Sequence, residues 1–275
     1  MQIAETVARA RALFAALARP LGLVPTMGAL HEGHLELVRH ARARCASVGA
    51  SIFVNPLQFG PKEDLASYPR DVERDAEKLA GAGVDALFAP TEAVMYPARF
   101  ATFIEVQSLS ALYEGAVRPA HYRGVTTVVA KLLNIAAPSV LFLGQKDAQQ
   151  AVLLRKMIAD LNFDVEVELV PTVRETDGLA MSSRNRYLDR AQRATAPSLH
   201  RALTTVRDAL AAGKRKADAV AAGAAALSPT ASLDYLEVVD AETFEPIDRL
   251  SPPAFVIGAA RFGGTRLIDN LWVRE

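Results

Sequence analysis

The sequence predicts an α/β protein with a parallel sheet and, after it, a small α+β domain. Apolar runs at residues 21–24 and 50–54 enclose a segment with helical periodicity, which is the pattern of a β-α-β unit. This alternation of short strands and helices continues through most of the chain and favours a parallel sheet. Beyond residue 173 two helix-period segments come first and three strand-like runs follow, which favours α+β. We therefore expect a division into domains 1–172 and 173–275.

Hydrophobic periodicity and turn residues place the individual elements. Helices are predicted over residues 3–18, 33–46, 71–80, 125–135, 189–212 and 217–227, and a further helix ends near residue 161. Strands are predicted over residues 21–24, 50–54, 84–89, 102–106, 140–143, 165–170, 233–239, 255–260 and 265–273. Loops are predicted over residues 59–70, 118–124 and 174–185. The carboxyl ends of the parallel strands then meet at one edge of the sheet, where ligands of such folds gather.

The composition excludes some classes of partner. The 275 residues contain 31 Lys and Arg and 31 Asp and Glu, so no net field attracts nucleic acid or an anionic membrane. No apolar run approaches the ~20 residues that span a bilayer, and the N-terminus lacks the order of a signal peptide. The lone Cys45 falls in an apolar helical pattern and is predicted to be a buried thiol. We expect a cytoplasmic protein with no nucleic-acid or membrane partner.

The segment 24–34, VPTMGALHEGH, carries two histidines at a predicted strand-to-helix turn. Pro25 is expected to end the strand, and His31 and His34 then share one face of the following helix. A helix N-terminus presents free N–H groups and the positive end of the helix dipole, so it suits a phosphate, and Gly33 allows close approach. We expect nucleotide phosphates here. Metal ligation and helix capping without chemistry remain alternatives, although neither His-Glu-x-x-His nor a cysteine partner is present.

A lysine also follows a predicted strand. Lys146 can neutralise phosphate charge and Asp147 can accept hydrogen bonds from ribose hydroxyls, with a solvated surface pair as the alternative. Neither GxxxxGK[ST] nor GxGxxG after a strand occurs, which argues against P-loop and common dinucleotide-binding folds. Gln58 and Gln150 can donate and accept, so they suit a small hydroxy acid, although most glutamines lie on surfaces.

Two predicted loops carry further candidates. The run MSSR at 181–184 offers two hydroxyls and a guanidinium, which suits a mobile phosphate clamp, and an ordinary surface loop is the alternative. Arg118 and His121 flank a proline and can bind a carboxylate.

Six segments together match the motifs of one enzyme family in order and spacing. They are PTMGALHEGH (25–34), FVNPLQF (53–59), YPR (68–70), RPAHYRGV (118–125), GQKDAQQ (144–150) and MSSRN (181–185). With these motifs the chain resembles the pantothenate synthetases, or pantoate–β-alanine ligases, of the adenylate-forming nucleotidyltransferase superfamily. Ala120 and Ala148 are mild departures from the residues that many members carry.

The resemblance implies a fold and a reaction. The fold is a Rossmann-like N-terminal domain, with helices on both faces of its sheet, that dimerises and binds ATP and pantoate, plus a small C-terminal lid. In the reaction ATP, (R)-pantoate and β-alanine become pantothenate, AMP and diphosphate, with Mg²⁺. The carboxylate of pantoate first attacks the α-phosphorus to give pantoyl adenylate. The amine of β-alanine then attacks the acyl carbon and expels AMP.

The resemblance also implies residue roles. Catalytic roles fall on His31, His34, Lys146 and Arg184. The ATP-binding set is Pro25, Thr26, Met27, Gly28, His31, His34, Gly144, Gln145, Lys146, Asp147, Val173, Met181, Ser182, Ser183 and Arg184. The substrate-binding set is Asn55, Gln58, Tyr68, Arg118, His121 and Gln150. His34 is interpreted as a phosphate-stabilising group rather than a proton donor, because such a transfer needs little proton movement.

The metal ligands stay open. Mg²⁺ usually binds through substrate phosphates with few protein ligands, and Asp75 is considered only as a guess.

Two other functions compete with the ligase. One is a nucleotidyltransferase that joins a nucleotide to a phosphorylated small molecule. The other is a catalytically silent nucleotide-binding module, against which Lys146 and the histidine pair argue.

Overall fold

The chain forms two compact units. The computed structural model describes residues 1–61 and 63–273, so residue 62 of the predicted loop 59–70 lies outside the described residues. The N-terminal unit contains Met1–Gly144 and Gln149–Val170, and the C-terminal unit contains Gln145–Ala148 and the chain from Pro171 onward. The division at residues 172 and 173 was made from the change of sequence pattern and stays a prediction.

A six-stranded parallel sheet forms the centre of the N-terminal unit, as predicted. Its strands are β1 (Gln2–Ala4), β2 (Leu21–Thr26), β3 (Ser47–Ile52), β4 (Ala86–Phe88), β5 (Val140–Gly144) and β6 (Glu166–Val170). Their order is β1-β4-β3-β2-β5-β6, so β2 and β3 form the predicted β-α-β unit in the middle of the sheet. The turns after β2, β3 and β5 therefore follow neighbouring strands.

Helices cover both faces of this sheet. They are α1 (Val7–Ala15), α2 (Glu32–Arg44), α3 (Val72–Gly81), α4 (Glu92–Met95), α5 (Glu114–Val117), α6 (His121–Ala136) and α7 (Ala148–Asp160). Leu21 and Leu23 of β2 pack in one core with residues of α1, α6 and α7, while Val24 packs in a second core with residues of α2 and α3. Because successive strand residues point to opposite faces, one strand contributes to both cores. The predicted fold class is confirmed.

A three-stranded antiparallel sheet, with helices, forms the C-terminal unit, also as predicted. Its strands are β7 (Ala231–Asp240), β8 (Ala254–Phe262) and β9 (Thr265–Val273). Its helices are α8 (Arg190–Thr195), α9 (Ser198–Ala211) and α10 (Lys216–Ala226). Among the described residues of both units, short 3₁₀ helices cover Pro56–Gln58, Leu109–Ala111, Gln145–Asp147 and Ser183–Tyr187.

The structure corrects several predicted helices. The predicted helix 3–18 is wrong at its start, since Thr6 caps α1 and the preceding residues form β1. The predicted helix 189–212 is two helices, α8 and α9, and Pro197 lies between them because it has no N–H to continue the first. Helix α6 begins at His121, inside the predicted loop 118–124.

Two strand predictions also need correction. Pro25 does not end the first strand, because β2 continues to Thr26. The ladder from β2 to β5 stops at Leu23, so a missing N–H at Pro25 costs no ladder hydrogen bond on that side. The predicted strand 102–106 does not form, and Ile104 instead bonds to the side chains of Thr126 and Thr127.

Two further features bear on function. Cys45 is 6% exposed at the end of α2, and burial raises the pKa of its thiol, so the predicted buried thiol is confirmed. In the part of the chain that the structure describes, no helix has the length and hydropathy needed to cross a membrane.

Candidate active site

The turn after β2 is held at both of its ends. The Thr26 hydroxyl donates to the Ser51 carbonyl (2.8 Å) and accepts the Gly28 N–H (3.2 Å). The Leu30 N–H donates to Asp75 Oδ1 (3.0 Å). At Gly28 φ is +79°, and an added Cβ would lie 3.1 Å from Asp75 Oδ2, so the turn depends on glycine there. The backbone that leads into α2 is therefore fixed before the histidines are reached.

The two histidines form a capping box at the start of α2. His31 is the N-cap, and its Nδ1 accepts the Gly33 N–H (3.2 Å). His34 Nδ1 accepts the His31 N–H (3.3 Å), and the two ring centroids lie 4.1 Å apart. Because each Nδ1 accepts a hydrogen bond, the proton of each neutral ring is on Nε2. Both rings can then donate from Nε2, which suits an anion.

The turn after β3 places a buried glutamine. Gln58 is 8% exposed, its Oε1 accepts from Asn55 Nδ2 (3.0 Å), and its Nε2 contacts Met27 Sδ (2.9 Å). Asn55 is itself fixed, since its Nδ2 also donates to the Gly124 carbonyl and its Oδ1 accepts from Tyr96. A Cβ at Gly124 would lie 2.4 Å from the Leu57 carbonyl oxygen, so only glycine lets α6 approach this turn. The structure thus brings Met27, Asn55 and Gln58 together.

Arg118 and His121 contact the same turn from α6 and the residues before it. His121 Nδ1 donates to the Gln58 carbonyl (2.8 Å), and His121 Nε2 lies 3.2 Å from Arg118 Nη1. Arg118 also donates from Nε (2.9 Å) and Nη2 (2.5 Å) to the Glu63 carboxylate. Burial, with the charge of Arg118, lowers the pKa of His121 to about 4, so this imidazole stays neutral at physiological pH. In this structure Arg118 therefore binds the carboxylate of Glu63.

A cavity of about 280 Å³ lies beside the turn after β2. Met27, Gly28 and Asp75 are among the residues that line it. Asp75 is 2% exposed, and its Oδ2 finds no hydrogen-bond partner among the residues that the structure describes. Asp75 was considered only as a metal ligand, whereas the structure places it under the histidine turn, where its Oδ1 fixes Leu30.

Three other predicted residues lie on the N-terminal unit. Tyr68 is 5% exposed and packs edge-on against Phe59, with ring centroids 5.8 Å apart. A Cβ at Gly144 would meet no atom of residues 1–61 and 63–273 within 4 Å, so these residues leave space beside the end of β5. Gln150 is partly exposed on α7.

Lys146 lies in the 3₁₀ helix that follows β5. Its side chain is 22% exposed, and its Nζ lies 3.5 Å from Asp147 Oδ1. The Gln145 side chain donates to Asn270 Oδ1 (3.2 Å). Asn270 Nδ2 in turn donates to the carbonyls of Gln145 (2.8 Å) and Lys146 (2.9 Å). The lysine turn is therefore attached to β9.

The loop 173–185 of the C-terminal unit is ordered by its own contacts. The Met181 N–H donates to the Val173 carbonyl (3.0 Å), and Ser182 Oγ accepts the Arg184 N–H (3.2 Å) at the start of the 3₁₀ helix Ser183–Tyr187. Lys146 and Ser182 line a common cavity of about 10 Å³ with His200 and Asp269. That volume is too small for a nucleotide, so Lys146 and Ser182 are neighbours without enclosing a ligand pocket of their own.

Sequence reasoning missed several residues that hold these turns. Asn270, Asp269 and Arg174 were not singled out. Arg174 forms an ion pair with Asp269 (2.6 and 2.9 Å) and donates to the Asn270 carbonyl (3.0 Å). The available signal was a pair of adjacent polar residues in the middle of an apolar strand, since buried polar side chains need partners.

A six-stranded parallel sheet with a histidine-capped helix N-terminus at the end of a central strand defines an α/β nucleotide-binding enzyme of Rossmann-like architecture. The profile of the pantoate–β-alanine ligases matches residues 2–272. The chain belongs to this family, which confirms the resemblance carried by the motifs and makes it an acid–amine ligase.

Individual relatives agree over nearly the full length. A pantothenate synthetase from Acidiphilium cryptum is 53% identical over 99% of this chain and 100% of its own length. The crystal structure of the Thermus thermophilus pantothenate synthetase is similar with a TM-score of 0.95, at 51% identity and with 100% of each chain covered. The Francisella tularensis pantoate–β-alanine ligase, solved with β-γ ATP and β-alanine, has a TM-score of 0.82 at 32% identity, with 99% of this chain and 97% of that chain covered.

Proposed function

We propose that the chain condenses (R)-pantoate with β-alanine in an ATP-dependent reaction that passes through pantoyl adenylate. The observation that carries the site assignment is the capping box at α2, where both imidazoles are oriented by backbone N–H groups. We propose that residues 1–172 bind ATP and pantoate and that residues 173–275 serve as a lid.

In the first step the pantoate carboxylate oxygen attacks the α-phosphorus, and the bond to diphosphate breaks. Negative charge grows on the phosphoryl oxygens and on the departing diphosphate, so donors placed there stabilise the transition state more than the ground state. His31 and His34 donate from Nε2, and the α2 N-terminus adds its dipole. Lys146, Ser182, Ser183 and Arg184 supply charge and donors to the same phosphates. His34 is proposed to act as a hydrogen-bond donor and not as a proton source, because a phosphoryl transfer of this kind needs little proton movement.

Adenosine is proposed to occupy the edge beside β2 and β5. The open space at Gly144 leaves room for it, and Asp147 accepts from the ribose hydroxyls. The other residues that we propose to line the ATP site are Pro25, Thr26, Met27, Gly28, Gln145, Val173 and Met181.

Pantoate is proposed to bind to Gln58 and Gln150, with Asn55 fixing the Gln58 amide. In the second step the amine of β-alanine attacks the acyl carbon, and AMP leaves with the bridging oxygen. Arg118 is proposed to hold the β-alanine carboxylate in place of Glu63, beside His121 and Tyr68. The bidentate bond to Glu63 supports this role, because it shows that the guanidinium geometry suits a carboxylate.

Mg²⁺ is proposed to arrive on the ATP phosphates. Over residues 1–61 and 63–273 no group of three His, Cys, Asp or Glu side chains is placed to hold a metal ion. The residues present therefore do not form a protein cage, which agrees with the preference of Mg²⁺ for phosphates and water. No step above depends on a protein-bound metal.

We also propose that the N-terminal unit forms a homodimer and that the enzyme works in the cytoplasm. Phe103 is 40% exposed in the segment 102–106, so this segment offers an apolar contact to a second copy. A cytoplasmic location suits the ATP requirement.

Mass spectrometry of the reaction tests the proposal. The enzyme with ATP and pantoate should yield pantoyl adenylate and diphosphate, and addition of β-alanine should convert this to pantothenate and AMP. A dinucleotide-like product, with no amide formed on addition of β-alanine, would instead indicate the nucleotidyltransferase. No turnover under any condition would indicate a silent nucleotide-binding module.

A further inference from the structure

Asn270 is a buried polar residue in the middle of β9. It is 2% exposed, and it follows the buried Asp269 in a strand whose Leu271 and Val273 pack in the apolar core of the antiparallel sheet. Burial of an amide without partners is costly, so every group of this side chain needs a hydrogen bond. The structure provides all three. Nδ2 donates to the carbonyls of Gln145 and Lys146, and Oδ1 accepts from the Gln145 side chain.

These bonds fix two consecutive carbonyls of the lysine turn. A peptide plane whose carbonyl is bonded cannot rotate freely, so the backbone on either side of Lys146 keeps its direction. The chain between residues 145 and 270 is long, hence the bonds are tertiary and not part of the local turn.

The backbone of Asn270 is held as firmly as its side chain. Arg174 donates to its carbonyl (3.0 Å), and its N–H donates to Asp269 Oδ1 (2.7 Å). Asp269 is 5% exposed and forms the bidentate pair with Arg174. A bidentate arginine–carboxylate pair has a fixed geometry, so it provides a rigid base from which the amide reaches the turn.

We propose that Asn270 is a positioning residue that sets the direction of Lys146 for the transferred phosphate. The proposal rests on the proposed function, because it assigns Asn270 a role only through Lys146. It assigns no contact between Asn270 and substrate. A group misplaced by about 1 Å can lose about 100-fold in rate, so loss of the amide should act on catalysis as well as on folding.

A double-mutant cycle on the full-length enzyme tests this. The variants are Asn270→Ala, Lys146→Ala and both together, assayed for kcat and for the KM of ATP and of β-alanine. We expect Asn270→Ala alone to lower kcat/KM by roughly 10- to 100-fold, with the KM of β-alanine unchanged. In the Lys146→Ala background the same substitution should change kcat/KM by less than about 3-fold, since residues that act as a unit are not additive. A merely structural role would lower activity equally in both backgrounds.

Matched controls separate the outcomes. Asn134→Ala removes the same amide from an exposed position of α6 and should leave kcat/KM unchanged. Urea unfolding of each variant checks the fold. If Asn270→Ala does not fold, Asn270→Asp takes its place in the cycle, because it keeps the side-chain volume but loses both N–H donors. Additive effects, or a failure of both variants to fold, would overturn the proposal. Unchanged kcat/KM in Lys146→Ala alone would instead overturn the proposed role of Lys146.

Discussion

The turn after β2 and the turn after β5 hold their candidate groups in different ways. In the first, His31 and His34 are oriented by bonds to backbone N–H groups two and three residues away. In the second, Lys146 depends on Asn270, from which it is separated by 124 residues. The orientation of the two imidazoles needs only the capping of one helix, although Ser51 and Asp75 also hold the backbone that leads to them. The geometry of Lys146, in contrast, requires the C-terminal unit to be folded.

The turn after β3 is intermediate. Gln58 receives one bond from Asn55, three residues away, but its carbonyl is held by His121, 63 residues further along the chain. The three turns therefore form a series from local to distant support. We expect a turn with local support to keep its geometry when another part of the molecule is altered. A turn with distant support should lose its geometry when the distant residue is replaced.

Removal of the lysine should have the largest effect. Lys146→Ala removes a positive charge from the transferred phosphate and should cost about 2–4 kcal/mol of transition-state stabilisation, measured as kcat/KM. Lys156→Ala serves as the control, because that lysine forms an exposed ion pair with Asp160 on α7. If both variants kept full activity, phosphate neutralisation would lie elsewhere.

The support of the glutamine turn should depend on pH. The pKa of His121 is about 4 in the folded chain and about 6.5 in the unfolded chain. Its folded pKa is depressed, so its stabilising contribution is present above pH 6.5 and is lost as the pH falls towards 4. Between pH 8 and 5 the loss should be about 2 kcal/mol in the free energy of unfolding.

The variant His121→Asn isolates this contribution. It keeps an N–H donor for the Gln58 carbonyl but does not titrate, so the fall in stability between pH 8 and 5 should shrink by about 2 kcal/mol. Urea unfolding at both pH values measures it. Equal pH dependence in wild type and variant would show that His121 is not buried as a neutral ring.

The smallest effect concerns the local turn itself. His31→Ala removes both the N-cap and the phosphate donor, and it should cost about 1 kcal/mol of stability. His31→Asn restores a good N-cap without the imidazole, so it should keep stability to within a few tenths of a kcal/mol while losing activity as the alanine variant does. Equal stability of the two variants would mean that capping by His31 contributes nothing.

The series also explains what could be predicted from the sequence. Hydrophobic periodicity and turn residues within about a dozen positions predict the β-α-β unit and the histidine pair at the start of α2. They also predict that the loops after the parallel strands meet at one edge of the sheet. The buried Cys45 follows in the same way. These are features whose physical causes lie close together in the chain.

The failures have distant causes. The predicted strand 102–106 lacks a partner strand, which no local pattern can reveal. Strand β2 can continue through Pro25 because the hydrogen-bond ladder between β2 and β5 stops at Leu23. The end of this ladder depends on β5, which is far away in the sequence. The roles of Asn270 and Asp269 depend on their hydrogen bonds to residues 145–146 and to Arg174, which lie far away in the sequence. The family motifs supplied the candidate site, and the structure supplied what holds it.

An isotope measurement tests the central claim most directly. Pantoate labelled with ¹⁸O in its carboxylate is converted with ATP and β-alanine, and the products are weighed by mass spectrometry. Attack of the carboxylate on the α-phosphorus predicts AMP that carries one ¹⁸O atom and pantothenate that keeps the other. AMP without the label, or ¹⁸O in diphosphate or phosphate, would contradict an acyl adenylate and with it the roles assigned to the two turns.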